Sequence, residues 1–221
     1  MAEHSHSRFW DSPGWSRISA HQQRSFTLWF TGLAGTGKTT LANLVCKALL
    51  ARGYKAEIID TRALAHWLKQ ELHIDEQVEE EASHTLGYDA FITYICTILA
   101  RNGVIALTPA ISPHRQARAY AREHLPGFTE IYLSCSPACR AERRRKKESL
   151  IANLAESLYE PPTEAELSID TTFEPPERSA LRILDYLEQH GYIAPLWEEA
   201  EMDEAEIALI KARLQALGYL D

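Results

Sequence analysis

Eight consecutive residues near the start of the chain carry its clearest chemistry, and they read Gly32-Leu33-Ala34-Gly35-Thr36-Gly37-Lys38-Thr39. They match the phosphate-loop pattern G-x-x-x-x-G-K-[ST] at every required position. The glycines would let the backbone turn tightly, so that its N–H groups converge on phosphate oxygens. Lys38 would reach the β- and γ-phosphates of a nucleoside triphosphate, and the Thr39 hydroxyl would bind Mg²⁺. The pattern therefore predicts a site for a magnesium–nucleotide complex.

The segments on both sides of this loop have the composition that the motif needs. Residues 26–31 form an apolar, β-prone run, which is typical of a buried parallel strand. Residues 40–52 place apolar side chains on one face at helical spacing, and Gly53 follows as a helix-ending residue. The alternative is an ordinary glycine-rich turn before a helix. The complete strand, loop and helix favour the nucleotide site.

Similar patterns predict the rest of an α/β domain. Further strands are expected at residues 56–60, 104–108 and 129–134, with a short extended piece at 168–170, and helices at 63–72, 86–101, 116–124 and 177–190. This alternation predicts a three-layer P-loop NTPase fold with a mostly parallel sheet flanked by helices. Asp60 would stand at the carboxyl end of the second strand, where open parallel sheets bind ligands. The alternative is that it serves only as the N-cap of the following helix.

The chain of 221 residues is expected to hold one main domain and two appendages. Residues 1–25 would form an N-terminal flanking segment, 26–194 the P-loop domain, and 195–221 a C-terminal helical extension. The extension carries one apolar stripe, formed by Ile207, Ile210, Leu214 and Leu217. Such a stripe needs an apolar partner, so it would either dock on the domain or mediate self-association as a homodimer.

Composition limits the classes of partner. The 23 basic and 31 acidic residues give a net charge of −8, which argues against a nucleic-acid binder. The absence of long apolar runs and of a secretory signal predicts a cytoplasmic protein without membrane contact. On this acidic chain, the basic run at residues 140–147 would either close over nucleotide phosphates as a lid or form a solvated helical face.

Several stretches together resemble the adenylylsulfate kinase family, whose members use ATP to phosphorylate the 3′-hydroxyl of adenosine 5′-phosphosulfate (APS). The likeness covers most of residues 17–190. The Ile-Ser-Pro loop after a buried strand is its most specific part, since the phosphate loop alone indicates only an NTPase or kinase. The matching stretches are residues 28–33, 103–113, 128–133 and 159–162 with 169–171.

The resemblance implies a role for individual positions. Asp60 matches the first aspartate of the family's D-G-D-N segment, so it would bind Mg²⁺ through water or take the proton from the attacking hydroxyl. Ile111 and Ser112 would line the acceptor pocket, and Arg144 falls where the family has an arginine near the nucleotide base. The residues expected to hold ATP and Mg²⁺ are Gly32, Ala34, Gly35, Thr36, Gly37, Lys38, Thr39 and Thr40.

The chain departs from the family pattern on the acceptor side. Arg62 stands at the second aspartate, Ala65 at the arginine that grips the substrate, and Ala90 and Phe91 at paired arginines on the next helix. The family's lid is replaced by a shorter segment at residues 145–158. Arg62 is expected to contact the acceptor from a new direction.

Three functions therefore follow from the sequence. The favoured one is phosphoryl transfer from Mg·ATP to APS, a small-molecule substrate. A second is transfer to another, less anionic hydroxyl compound, which the apolar replacements would suit. A third is a nucleotide-binding regulatory or scaffold module without transfer, although such a module would not require Lys38, Thr39 and Asp60 together.

Overall fold

The computed structural model describes residues 24–72, 86–145 and 158–195. The predicted flanking segment before residue 24 and the predicted helix after residue 195 lie outside this range. Strands and helices alternate along the described chain in the order β1 (Thr27–Thr31), α1 (Lys38–Ala51), β2 (Ala56–Ile58), α2 (Thr61–Leu72), α3 (Leu86–Arg101), β3 (Ile105–Pro109), α4 (Arg115–His124), β4 (Phe128–Ser134), α5 (Pro137–Arg145), β5 (Leu167–Asp170) and α6 (Pro176–Gln189).

The five strands form one sheet in the order β2-β3-β1-β4-β5, and every neighbouring pair is parallel. The predicted parallel sheet with flanking helices is confirmed. The short extended piece at 168–170 is the edge strand β5, in register with β4 through Leu133 and Ile169. Because all strands run the same way, the phosphate loop after β1 and Asp60 after β2 follow strand ends at the same edge of the sheet.

Strand β1 is buried along its whole length, which explains its uninterrupted apolar sequence. The Trp29 side chain lies in a cluster with Ile92 and Cys96 of α3 and with Ala121 of α4. Successive residues of a strand point to opposite faces, so Leu28 and Phe30 lie on the other face. The sheet is therefore covered on both sides.

The first helix begins at Lys38, two residues before the predicted start, and it ends at Ala51, one residue before the predicted end. Gly53 has φ +81°, its N–H donates to Leu50 O, and the next N–H, from Tyr54, donates to Leu49 O. These two bonds satisfy carbonyls at the helix end that would otherwise lack partners. A glycine suits this position because L-residues with side chains avoid positive φ.

Contacts divide the chain into two units after Leu184. The sheet and helices α1 to α5 lie in the first unit. The second holds the end of α6, where the rings of Tyr186 and His190 stack with centroids 3.9 Å apart. The domain limits at residues 26 and 194 stay a prediction. No helix in the described ranges is both long enough and apolar enough to cross a membrane.

Replacing Gly32 tests how closely the loop passes the sheet. Gly32 has φ +140°, and a Cβ atom there would lie 2.3 Å from the Leu133 carbonyl oxygen of β4. We expect Gly32→Ala to lower the free energy of unfolding by about 2–4 kcal/mol in urea denaturation, since both strain and a backbone clash oppose it. The matched control is Gly53→Ala, where φ is also positive but no atom lies within 4 Å. It should cost only about 1 kcal/mol. Equal costs would show that the close approach does not matter.

Candidate active site

The phosphate loop connects β1 to α1 and is shaped by its glycines. Gly32, Gly35 and Gly37 all have positive φ, at 140°, 86° and 97°. The loop closes on itself at Thr36, whose N–H and hydroxyl both donate to Leu33 O, at 3.3 and 2.9 Å. Gly37 is the N-cap residue of α1, so the positive end of that helix adjoins the loop.

The ammonium group of Lys38 lies within this loop. The side chain is buried, and Nζ donates to Gly32 O at 2.6 Å and to Leu33 O at 2.9 Å. The first turn of α1 contains no acidic residue that would neutralise this charge. The loop thus combines a lysine, backbone N–H groups and a helix N-terminus, which are the components of an anion site.

A second layer of contacts braces the loop from behind. The Thr171 hydroxyl, just after β5, donates to Thr36 O at 2.9 Å. The Arg143 guanidinium of α5 donates to Gly35 O at 3.3 Å and to Thr171 O at 2.7 Å. Arg143 was not singled out from the sequence, where the neighbouring Arg144 was favoured. Arg144 belongs to α5, but its side chain lies outside the described part. Which of these two adjacent arginines contacts the loop depends on the rotation of α5, which the sequence does not show.

The residues of the loop fit a magnesium–nucleotide complex. The space beside Gly32 is too narrow for a Cβ atom, so the backbone itself forms the cradle. Thr39 and Thr40 follow Lys38 in the first turn of α1 and supply hydroxyl oxygens, which Mg²⁺ prefers. No group of three or more His, Cys, Asp or Glu side chains suited to a metal occurs in the described ranges. A magnesium ion bound to phosphates does not require one, because phosphate oxygens and waters provide most of its ligands.

Asp60 lies between β2 and α2 and is exposed. Its Oδ1 atom accepts a hydrogen bond from the Ala63 N–H at 3.1 Å, so it caps the N-terminus of α2, as the alternative interpretation of the sequence held. The Thr61 hydroxyl ties the same turn to Pro109 O at the end of β3, at 3.2 Å. The cap fixes the carboxylate at the strand end. Arg62 is in the first turn of α2, and its side chain lies outside the described part.

Ile111 and Ser112 lie in the loop of residues 110–114 between β3 and α4. Ser112 has φ +42°, a positive value that no other described residue except glycine adopts. Its hydroxyl accepts a hydrogen bond from Trp29 Nε1 at 3.1 Å and donates to Asp89 Oδ1 at 2.8 Å. The Ile111 carbonyl accepts the Thr31 hydroxyl proton at 2.7 Å. The loop is therefore tied to β1 and to α3.

Arg118 of α4 holds the same loop from the other side. Its Nη1 atom donates to Ser112 O at 2.5 Å, and its Nη2 atom donates to Glu160 O at 2.6 Å. Its Nε atom pairs with Glu130 Oε1 of β4 at 2.7 Å, and both side chains are buried. The guanidinium thus joins three separate segments of the chain. The basic pattern of α4 did not identify this residue, because exposed arginines give the same pattern.

Asp89 of α3 is a buried carboxyl group that the sequence analysis missed. It is 3% exposed, and Oδ2 has no hydrogen-bond partner among the described residues. Burial raises the pKa of Asp89 to about 6, although the hydrogen bond from Ser112 and the charge of Arg118 act in the opposite direction. One signal was available. Asp89 precedes Ile92 and Cys96 at helical spacing, so an acid interrupts the apolar face of α3.

The raised pKa predicts how Asp89 affects stability. A carboxyl whose pKa rises from 3.8 to about 6 on folding holds its proton more tightly in the folded state. The protein is therefore most stable when Asp89 is protonated, and its free energy of unfolding falls as the pH rises from about 4 to about 6. We expect Asp89→Asn to match the wild type near pH 4 and to be more stable at pH 7.5, by up to about 3 kcal/mol.

Urea denaturation of both proteins across this pH range provides the measurement. The matched control is Asp185→Asn, which removes an exposed carboxylate from α6. A difference between the Asp89 variant and the wild type that does not change with pH would contradict the prediction.

Comparisons of sequence and of structure with known proteins find the same family over most of the chain. A family model described as adenylylsulphate kinase matches residues 24–170. An adenylyl-sulfate kinase from Picosynechococcus is 32% identical over 79% of this chain and 99% of its own length. A probable bifunctional SAT/APS kinase from Sorangium cellulosum is 33% identical over 76% of this chain, which spans 29% of that longer protein. The solved Mycobacterium tuberculosis APS kinase CysC, in complex with AMPPNP and APS, has a TM-score of 0.62 and 29% identity, covering 75% of this chain and 98% of its own.

Proposed function

The chain belongs to the adenylylsulphate kinase family, and on this basis we propose that it transfers the γ-phosphoryl group of ATP to the 3′-hydroxyl of APS. The observation that carries the proposal is the complete phosphate loop, with Lys38 buried within it, at the same sheet edge as Asp60 and the Ile111–Ser112 loop. A phosphotransferase needs its donor and acceptor sites side by side. Parallel strand ends provide that arrangement.

The loop residues hold the donor. Bound Mg·ATP supplies the phosphoryl group, and its metal neutralises charge on the phosphates. The backbone N–H groups from Gly32 to Thr40 bind the phosphates, and Thr39 ligates the metal. Lys38 exchanges its two loop carbonyls for phosphate oxygens. Arg143 and Thr171 keep the loop rigid, which matters because phosphoryl transfer is catalysed mainly by positioning and charge stabilisation.

The acceptor side depends on fewer charged groups. Asp60 takes the proton of the attacking hydroxyl or binds the metal through water. Ile111 and Ser112 line the acceptor pocket, Arg62 contacts the acceptor, and Arg144 lies near the nucleotide base. At positions 65, 90 and 91 the chain has no guanidinium group. Each charge-assisted hydrogen bond lost there weakens anion binding by about 1.5–3 kcal/mol.

The other two functions considered from the sequence have less support. The kinase relatives named for APS favour that acceptor over a less anionic hydroxyl compound. The retained Lys38, Thr39 and Asp60 favour transfer over a regulatory module. Self-association as a homodimer and a cytoplasmic location stay predictions. The apolar stripe on which the homodimer depends lies outside the described residues.

Substitution of Lys38 tests the donor site. We expect Lys38→Ala to lower kcat/KM for phosphoryl transfer to APS by at least about 100-fold, because it removes a positive charge next to the developing phosphoryl charge. Transfer is measured as formation of 3′-phosphorylated APS from Mg·ATP by anion-exchange chromatography. The control is Lys47→Ala, on the exposed side of the same helix. A wild-type protein that binds ATP but transfers nothing to APS would overturn the proposal.

Two substitutions of Asp60 separate its structural and chemical roles. Asparagine is also a good N-cap, so Asp60→Asn should keep the stability within about 0.5 kcal/mol of the wild type. It should still lower kcat by about 100-fold or more, because the carboxylate is lost. Asp60→Ala should lower kcat and also cost about 1 kcal/mol of stability. If Asp60→Asn keeps full kcat, Asp60 acts only as a cap.

A further inference from the structure

A directed chain of hydrogen bonds ends on Asp89. The indole of Trp29 can only donate, so the Ser112 oxygen must accept from it. Ser112 then has one hydroxyl proton left, which it gives to Asp89 Oδ1 at 2.8 Å. When Asp89 is ionised it can only accept, so the direction of both bonds is then fixed. An acceptor on the α3 side of Ser112 is required for the hydroxyl to keep this orientation.

Ser112 needs these bonds because its backbone is strained. A residue with a side chain at φ +42° is strained relative to an ordinary conformation. The surrounding contacts determine this conformation, with Arg118 holding the Ser112 carbonyl and Asp89 holding the hydroxyl. The loop shape is thus imposed from two sides.

Burying the carboxyl group of Asp89 is energetically costly. The other buried positions of α3 include the apolar Ile92 and Cys96 and the uncharged Thr93 and Thr97, so an uncharged side chain would suit position 89. Instead the chain buries a carboxyl group with one oxygen lacking a described partner. The hydroxyl of Tyr88, the preceding residue, donates to the carbonyl oxygen of Thr61, so α3 contacts the turn that directly follows Asp60. A costly buried acid beside a ligand site indicates a functional role.

We propose that Asp89 is a positioning residue for the acceptor, because it fixes the Ser112 hydroxyl and with it the backbone of the Ile111–Ser112–Pro113 loop. The inference rests on the proposed function, in which this loop lines the acceptor pocket. It adds a residue that the family resemblance does not assign, on the helix where the paired arginines are replaced by Ala90 and Phe91. Asp89 acts through Ser112 and does not touch the substrate.

Two variants of Asp89 distinguish positioning from a structural role. Asp89→Leu and Asp89→Asn both remove the buried charge at similar size, but only asparagine keeps an oxygen that accepts the Ser112 proton. We expect Asp89→Leu to raise KM for APS about tenfold, the effect of losing one hydrogen bond, while KM for ATP stays within twofold. Asp89→Asn should keep KM for APS within about threefold of the wild type. Asp185→Asn, an exposed charge removal, is the control.

Ser112→Ala extends the test. It should reproduce the KM effect of Asp89→Leu, and the Asp89→Leu/Ser112→Ala double variant should show no further increase, because both changes remove the same bond. Equal KM values for APS in the leucine and asparagine variants would overturn the proposal. So would a multiplicative effect in the double variant.

A readout without turnover separates this inference from the proposed function. The indole ¹⁵N–¹H resonance of Trp29, assigned with Trp29→Phe, reports on the bond to Ser112. It should shift in Asp89→Leu and stay in place in Asp89→Asn. If the wild type does not phosphorylate APS, the proposed function fails, and the resonance still decides whether Asp89 holds the loop. An unchanged resonance in Asp89→Leu would overturn the inference even in an active enzyme.

Discussion

The close approach of the Gly32 backbone to the Leu133 carbonyl at the end of β4 is the contact on which the phosphate loop depends. The central strand β1 is hydrogen-bonded to both β3 and β4, and where the chain leaves the sheet the β4 carbonyl of Leu133 leaves no room for a side chain. Only a residue without a side chain can therefore begin the turn of the loop. This narrow exit forms a cradle of N–H groups, and it brings the Gly32 and Leu33 carbonyls close enough for Lys38 to bind both.

The loop between β3 and α4 is held in shape differently from the phosphate loop. Its conformation depends on a buried ion pair and on a strained serine, not on glycines. Arg118 pairs with Glu130 inside the domain and uses its remaining N–H groups on the Ser112 and Glu160 carbonyls. An isolated buried guanidinium would be very costly, but this one is paired and hydrogen-bonded. The same group can therefore hold a strained loop. The buried carboxyl group of Asp89 and the strained backbone of Ser112 lower stability locally, while the apolar cluster around Trp29 stabilises the fold.

Sequence patterns predicted the elements of this fold better than the contacts between them. The strands at 27–31, 105–109 and 128–134 are apolar because both faces of the sheet are covered, and each began within one residue of its expected position. Strand β5 appeared only as a short extended piece, since Ile169 alone of its residues is buried. Arg143, Arg118 and Asp89 were missed for a common reason. Periodicity shows which face of a helix is apolar, but it does not show which polar atom meets which partner.

Under the proposed function, the donor and acceptor halves of the site distribute binding energy differently, and this difference would require a rigid acceptor loop. The donor half has Lys38, a helix N-terminus and converging N–H groups, so small displacements of one group leave the others in place. The acceptor half has Ala65, Ala90 and Phe91 where the family pattern has long cationic side chains. Flexible arginines can follow a substrate that shifts, but a loop backbone cannot. Under the proposed function, the anionic acceptor would therefore depend on the loop being held in the correct shape before binding. The contacts to Ser112 from Trp29, Asp89 and Arg118 provide that constraint.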